Sequence, residues 1–192
     1  MFFCRFIKVL ALVTMISNLA VPSVTAEMLQ HSAQLKAGWY SPDTKLFHDG
    51  TGLDFAYSIK PIPYTAVEAG LGYYRAEKGT TGFLSAIPLT LSARAILPLP
   101  FINVHAGGGV GSYYKMAQLD LPDTSQSTEL SADHSEFSFG YHANAGIEFD
   151  SSSGISLLFE YKRVVVNQGR FRAYDDIKHG GNFYYGGFAL NF

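Results

Sequence analysis

Cysteine is almost missing from this chain, and the one present, Cys4, lies at its very start. Once the segment that holds it is removed, disulfides, thiolate metal sites and cysteine nucleophiles are excluded. Charge is sparse as well: Asp, Glu, Lys and Arg make up 16% of the residues and neither sign dominates. A basic face of the kind that holds a nucleic-acid backbone is therefore lacking, and no nucleic acid is expected as a partner. After residue 26 no apolar run approaches the roughly 20 residues that a membrane-spanning helix needs. If the mature chain crosses a bilayer, it must do so with strands closed into a barrel, because only then are all backbone polar groups paired.

What is present begins with an export signal. Arg5 and Lys8 precede an apolar run that Ser17, Asn18 and Pro22 interrupt, and Val24-Thr25-Ala26 supplies small residues for cleavage. Residues 1–26 therefore read as a signal peptide, and 27–192 as one mature domain. Removing Arg5 and Lys8 leaves 12 basic residues against 16 acidic ones, a net charge of about −4.

The mature part is a series of segments in which apolar residues stand at every second position, the period that sorts a strand's side chains onto two faces. The alternation predicts strands over 33–40, 51–60, 65–74, 84–97, 101–114, 135–149, 155–163 and 182–192. Segment 135–149 shows it most plainly: Phe137, Phe139, Tyr141, Ala143, Ala145, Ile147 and Phe149 interleave with Glu136, Ser138, Gly140, His142, Asn144, Gly146 and Glu148. Pro88 cannot donate a ladder hydrogen bond, so a bulge or a strand end is expected near it. Short turns at Pro61-Ile62-Pro63, Pro98-Leu99-Pro100 and 150–154 alternate with long polar loops. That rhythm predicts an all-β fold: an eight-stranded, antiparallel, up-and-down transmembrane barrel with short periplasmic turns and long extracellular loops.

Alternation alone does not say which face is inside, since a soluble lipocalin would alternate too. The polar face decides. It is crowded with glycine, among others Gly70, Gly72, Gly107, Gly109, Gly111 and Gly146, which suits a cramped interior better than a solvated strand surface. Its charges nearly cancel, with Lys36, Lys60, Arg94 and Lys162 against Asp54, Glu68, Glu148 and Glu160. Enclosed charges must be paired, so these residues, with His105 and His142, are expected to form an interior polar network. Counting through the turns sets His142 opposite Lys162, Asn144 opposite Glu160, and Arg94 near His105. The pairs Trp39-Tyr40, Tyr73-Tyr74 and Tyr113-Tyr114, with Phe183-Tyr184-Tyr185, are expected to form an outer aromatic girdle, and Phe101, Phe149 and Phe192 an inner one. Tyr40 and Tyr74 also fall on the inward face, so the expected interior is filled and conductance small.

The last eleven residues, NFYYGGFALNF, carry Tyr184, Phe188, Leu190 and Phe192 on one face and end on an aromatic ring. This resembles the C-terminal signature of bacterial outer-membrane barrels, and the resemblance implies that these four residues are read by the outer-membrane assembly machinery. The pattern of the whole mature chain resembles the small eight-stranded family of the OmpA transmembrane domain and OmpX. It implies residence in the cell outer membrane among lipid and lipopolysaccharide, as a monomer without a cofactor, with any surface ligand met by the loops. No peptidoglycan-binding segment follows the barrel in this sequence, so a cell-wall tether is not implied.

Three groups of residues could carry chemistry. His142-Ala143-Asn144-Ala145-Gly146 is similar to the His-x-Ser-Asn-Ala-Gly motif of lipid A deacylases, yet the nucleophile position is not serine. Ser138, His142 and Glu160 would make a triad on paper, but structural polar residues explain them more simply. His48, His134 and His179 stand beside Asp49, Asp133 and Asp175-Asp176, a combination open to a weak divalent-metal site or to plain exposed loop residues. Arg163, Arg170, Arg172 and Lys178 suit contacts to lipopolysaccharide phosphates. The expectation is a non-enzymatic barrel with a structural or surface-interaction role, such as envelope integrity or adhesion. A small channel or hydrophobic-solute carrier of the OmpW kind is the alternative, and a lipid A-modifying enzyme the third.

Overall fold

The computed structural model describes residues 29–44, 47–78, 82–119, 134–151, 154–166 and 180–192. Residues 1–28, which include the expected signal peptide, and parts of the four long connections lie outside them. The described residues form eight strands: β1 (Gln30–Pro42), β2 (Gly50–Ile62), β3 (Thr65–Glu77), β4 (Gly82–Leu99), β5 (Ile102–Leu119), β6 (His134–Asp150), β7 (Ile155–Val166) and β8 (Gly181–Asn191). Each pairs antiparallel with its sequence neighbour, and β8 returns to β1, so the barrel is closed and no edge is left unpaired. The closing seam runs from Pro42 opposite Gly181 to Ser32 opposite Asn191, and His31 and Phe192 exchange both backbone hydrogen bonds at 2.9 Å.

All the strands but β8 are longer than the alternation predicts, because ladder pairing continues past the membrane-length core of each segment. The turns are correspondingly tighter. Ile62 pairs with Thr65, leaving Pro63-Tyr64 as a two-residue connection. Leu99 pairs with Ile102, leaving Pro100-Phe101. Phe101 has φ 68° after a proline, the arrangement of a type II turn in which glycine is the usual occupant. Its backbone oxygen accepts from Asp150 N at 3.2 Å, tying this turn to the third one.

Proline acts differently from the expectation at Pro88. β4 runs through it without ending and its register with β3 is the same on both sides, from Leu71 opposite Leu89 to Tyr74 opposite Ala86. What is lost is pairing: neither Gly72 nor Tyr73 has a ladder partner on β4. The irregularity in register falls instead between Ile59 and Ile62, beside Pro61. A proline at the strand end can shift the chain locally, whereas one held between two long ladders can only leave a gap.

The faces sort by sign of polarity. Trp39, Leu53, Phe139 and Phe188 are 70, 55, 73 and 61% exposed on the outer wall, while Lys36, Asp54, Arg94 and Glu160 are 0, 4, 6 and 3% exposed within. A surface this apolar is costly against water and fits hydrocarbon, as in a membrane barrel. The aromatic pairs divide between the two walls rather than all joining one girdle. Trp39, Tyr73 and Tyr184 face outward, whereas Tyr40, Tyr74, Tyr113, Phe183 and Tyr185 are buried inside. Adjacent residues of a strand point to opposite faces, so no such pair can lie wholly in a girdle. Phe101, Phe149 and Phe192 all reach the outer surface at the turn end.

Candidate functional site: the barrel interior

The interior has three storeys. At its middle, Glu160 on β7 collects donors from four other strands. Lys36 Nζ on β1 lies 3.0 Å from Oε1; Arg94 Nη2 on β4 lies 2.6 Å from Oε2. His105 Nε2 on β5 is 3.4 Å from the same oxygen, and Asn144 Nδ2 on β6 donates to it at 3.2 Å. Two further carboxylates close the cluster. Glu68 on β3 takes Arg94 at 2.7 Å and Lys36 at 3.8 Å; Asp54 on β2 takes Lys162 at 3.0 Å and Lys36 at 3.8 Å. Three cations thus meet three carboxylates with nearly all their charge out of bulk water. Such charges persist only when paired and hydrogen-bonded, since the desolvation of each is worth several kcal/mol.

Toward the loop end the interior turns aromatic. Tyr40 lies with its ring centroid 4.6 Å from those of Tyr74 and Phe183, Tyr74 and Phe183 are 5.1 Å apart, and Phe183 and Tyr185 stack at 5.5 Å. Tyr113, Leu84 and Val164 complete this buried cluster. The Tyr40 hydroxyl donates to Gly180 O at 3.2 Å, fastening the plug to the start of β8. The Lys36 ammonium stands 6.0 Å from the Tyr185 ring, at the boundary between plug and ion pairs.

Toward the turn end the interior opens into a mouth of about 500 Å³, lined by Lys60, Asn103, Asp150, Asn191 and Phe192 among others. Behind it a recess with room for little more than one water, about 10 Å³, reaches Ser58, Arg94, His105 and Glu148.

Against the sequence reading, the interior residues divide. Lys36, Asp54, Glu68, Arg94, His105, Glu160 and Lys162 meet in the central cluster. Glu148 does not join it; its Oε1 accepts from Asn191 Nδ2 at 3.4 Å. Lys60 has no carboxylate within ion-pair distance among the described residues. His142 bonds to Ser92, Nε2 to Oγ at 2.8 Å. The register counted through the turns is off by two residues: Asn144 faces Lys162 and His142 faces Val164, while Arg94 faces Gly107. The connection after β6 holds five residues between Asp150 and Ser156, so the pairing point cannot be read from turn residues alone. Parity nevertheless survives a shift of two, so every one of these side chains keeps its face. Ser92 and Tyr113, both interior, were legible as inward positions but not as the partner of His142 or part of a plug.

The triad drawn on paper is not assembled, as no hydrogen bond joins Ser138, His142 and Glu160 among the described residues. No group of three or more His, Cys, Asp or Glu side chains suited to a metal occurs among them either. His48 is described, with Nδ1 3.3 Å from Glu77 O; Asp133, Asp175, Asp176 and His179 lie outside the described residues, as do Arg170, Arg172 and Lys178. Arg163 is described, and it holds Asp43 through both guanidinium nitrogens, at 2.5 and 3.0 Å. On the outward face of β8, Tyr184, Phe188, Leu190 and Phe192 are 54, 61, 53 and 70% exposed.

No protein-family model and no curated protein matches the sequence. Solved structures do match in fold. The chain is similar to a major outer membrane protein from Thermus thermophilus, with 13% identity, a TM-score of 0.64, and 85% of this chain and 99% of that one covered. It is similar to OprG from Pseudomonas aeruginosa, at 12% identity and TM-score 0.62, over 86% and 96%. Neisserial surface protein A matches at 12% identity and TM-score 0.60, over 85% and 97%. The fold is that of the small eight-stranded outer-membrane barrels.

Proposed function

We propose that this protein is a monomeric, non-enzymatic barrel of the outer membrane, with a structural or surface-interaction role carried by its extracellular loops. The observation that supports this most is the interior itself. An aromatic plug that includes Tyr40, Tyr74, Tyr113, Phe183 and Tyr185 and a charge cluster drawn from six strands stand in series within the lumen. A barrel filled in this way serves as a rigid stave for its loops, which suits envelope integrity or adhesion. Its partners are outer-membrane lipid and lipopolysaccharide, and the assembly machinery acting on the terminal strand. Ail of Yersinia pestis, solved in complex with the heparin analogue sucrose octasulfate, shares the fold at 12% identity and TM-score 0.54, and polyanion contact through the loops belongs to the same reading. The test is cell fractionation followed by gel mobility with and without boiling, and planar-bilayer recording. The reading requires an outer-membrane band that shifts on heating and little current; a steady open-channel current would overturn it.

A second reading, carriage of a hydrophobic solute through the wall, has one specific observation in its favour. The β3–β4 seam lacks ladder pairs where Gly72 and Tyr73 face Pro88 and Ile87, a gap in mid-strand. Cross-linking this seam through a cysteine pair would abolish such uptake and leave a structural role untouched.

A further inference from the structure

The turn end of the barrel is apolar on one side only. The first turn, through Pro63-Tyr64, and the second, through Pro100-Phe101, are neighbours in the ring, because β3 pairs with β4 and Ile96 N donates to Tyr64 O at 2.8 Å. Between them they expose Ile62, Tyr64, Leu97, Leu99 and Phe101 at 50, 61, 59, 47 and 83%. No charged residue stands from Pro61 to Val67 or from Ala95 to Val104. Turns that meet water are ordinarily built from Gly, Asn, Asp and Ser. The third turn follows that rule, reading Asp150-Ser151-Ser152-Ser153-Gly154, with Asp150 and Ser151 exposed. Phe101 departs from it furthest. Its φ of 68° lies where glycine sits without strain, yet it carries the most exposed large apolar side chain among the described residues. Packing inside the barrel does not offset that strain, so the contact that does lies outside.

We propose that the first and second turns are immersed in the lipid leaflet at the turn end, so that the rim of the barrel enters the membrane there and leaves it at the third turn. Continuity with the lipid-facing wall selects lipid as the occupant. On β4 the outward row Leu89, Leu91, Ala93, Ala95, Leu97 and Leu99 reaches the second turn without a polar residue, and Ile102 and Val104 continue it on β5. The footprint of a protein partner closes with a polar rim around its apolar centre. Here the apolar surface has no such border on the wall side; it runs on into the surface that meets hydrocarbon. Shape agrees. Two-residue turns stiffened by Pro63 and Pro100 are convex tips, which a fluid interface accommodates without a matching pocket. Tyr64 joins a ring to a hydroxyl, the composition favoured at a membrane–water boundary. Pro63 and Pro98 also line the mouth, as Asp150 and Asn191 do on its other side. Lipid therefore borders the mouth along one lip and water along the other. This inference rests on the outer-membrane placement of the barrel and adds which part of its rim is wet.

The experiment uses the mature protein refolded into phosphatidylcholine vesicles, with Trp39→Phe as the background so that one added tryptophan reports alone. Phe101→Trp and Tyr64→Trp read the apolar turns, and Ser151→Trp reads the polar one. Lipids brominated near the top of their acyl chains quench from the membrane; iodide loaded on both sides of the bilayer quenches from water. Phe101→Trp and Tyr64→Trp are expected to emit at shorter wavelength than Ser151→Trp, to lose most of their emission to brominated lipid and to keep most of it in iodide. Ser151→Trp is expected to show the reverse. The heat-dependent gel shift reports folding of each, and two reporters on the patch let one decide where the other does not refold. The proposal is overturned if either folded turn reporter is quenched by iodide and spared by bromine, the result that leaves the patch to a partner in water. It is overturned equally if Ser151→Trp is quenched by brominated lipid as strongly as they are, since the whole rim then lies in lipid. Trp39 of the unaltered protein reads the wall itself, so iodide-quenched turns beside a lipid-quenched Trp39 would sink this inference and leave the outer-membrane reading standing.

Discussion

Arg94 and Glu160 meet at 2.6 Å in the centre of the barrel, one from β4 and the other from β7, three strands away around the ring. Glu160 also neutralises Lys36, so it is the carboxylate on which two of the three central cations depend. Removing its charge leaves both under-compensated where water is scarce. Glu160→Gln is expected to lower stability by about 3–5 kcal/mol. Urea titration of the refolded protein in lipid would show it as an earlier midpoint. Pairing it with Lys36→Met should recover part of the loss, because the cation that was stranded is then gone.

Tyr113 tells the opposite story. Its hydroxyl is buried at the plug without a partner, a state that costs roughly 1–3 kcal/mol. Tyr113→Phe keeps the ring and removes the orphan, so the midpoint in the same titration should stay level or rise. A clear drop would mean that the hydroxyl is satisfied.

Gly109 is needed for space. A Cβ there would stand 2.0 Å from Leu91 O and 2.9 Å from the His142 ring. The backbone oxygen cannot step aside as a flexible side chain would. Gly109→Val is expected to block barrel closure, seen as loss of the heat-dependent gel shift, whereas Val110→Ala on the outward face next to it should fold.

Trp39 is the only tryptophan of the chain and lies 70% exposed on the outer wall. In liposomes its fluorescence should be quenched by lipids brominated along their acyl chains and little affected by aqueous iodide. Efficient iodide quenching with no effect of bromine would place this face in water.

Phe192 keeps its backbone bonds to His31 whatever its side chain. Phe192→Ala should therefore refold in vitro much as the wild type does. In cells its outer-membrane level is expected to fall several-fold if the ring is part of the assembly signal; an unchanged level would remove Phe192 from that role.

Period-two alternation was enough to set which side chains face inward, and it did so for Lys36, Asp54, Arg94 and Glu160 without any knowledge of register. The reason is physical: a strand has only two faces, and a pairing error of two residues, such as that at Asn144 and Lys162, leaves both residues on the same face. Near-equal numbers of opposite charges on one face likewise announced enclosure. The terminal aromatic strand and the run of inward glycines pointed the same way.

Which charges meet was decided only by closure of the ring. Glu160 gathers Lys36, Arg94, His105 and Asn144 from other strands of the ring, while Glu148 takes Asn191 instead. Alternation is a property of one strand and survives in the sequence of that strand. Contact across a barrel depends on tilt, shear and the shape of every turn at once, and no single segment encodes it.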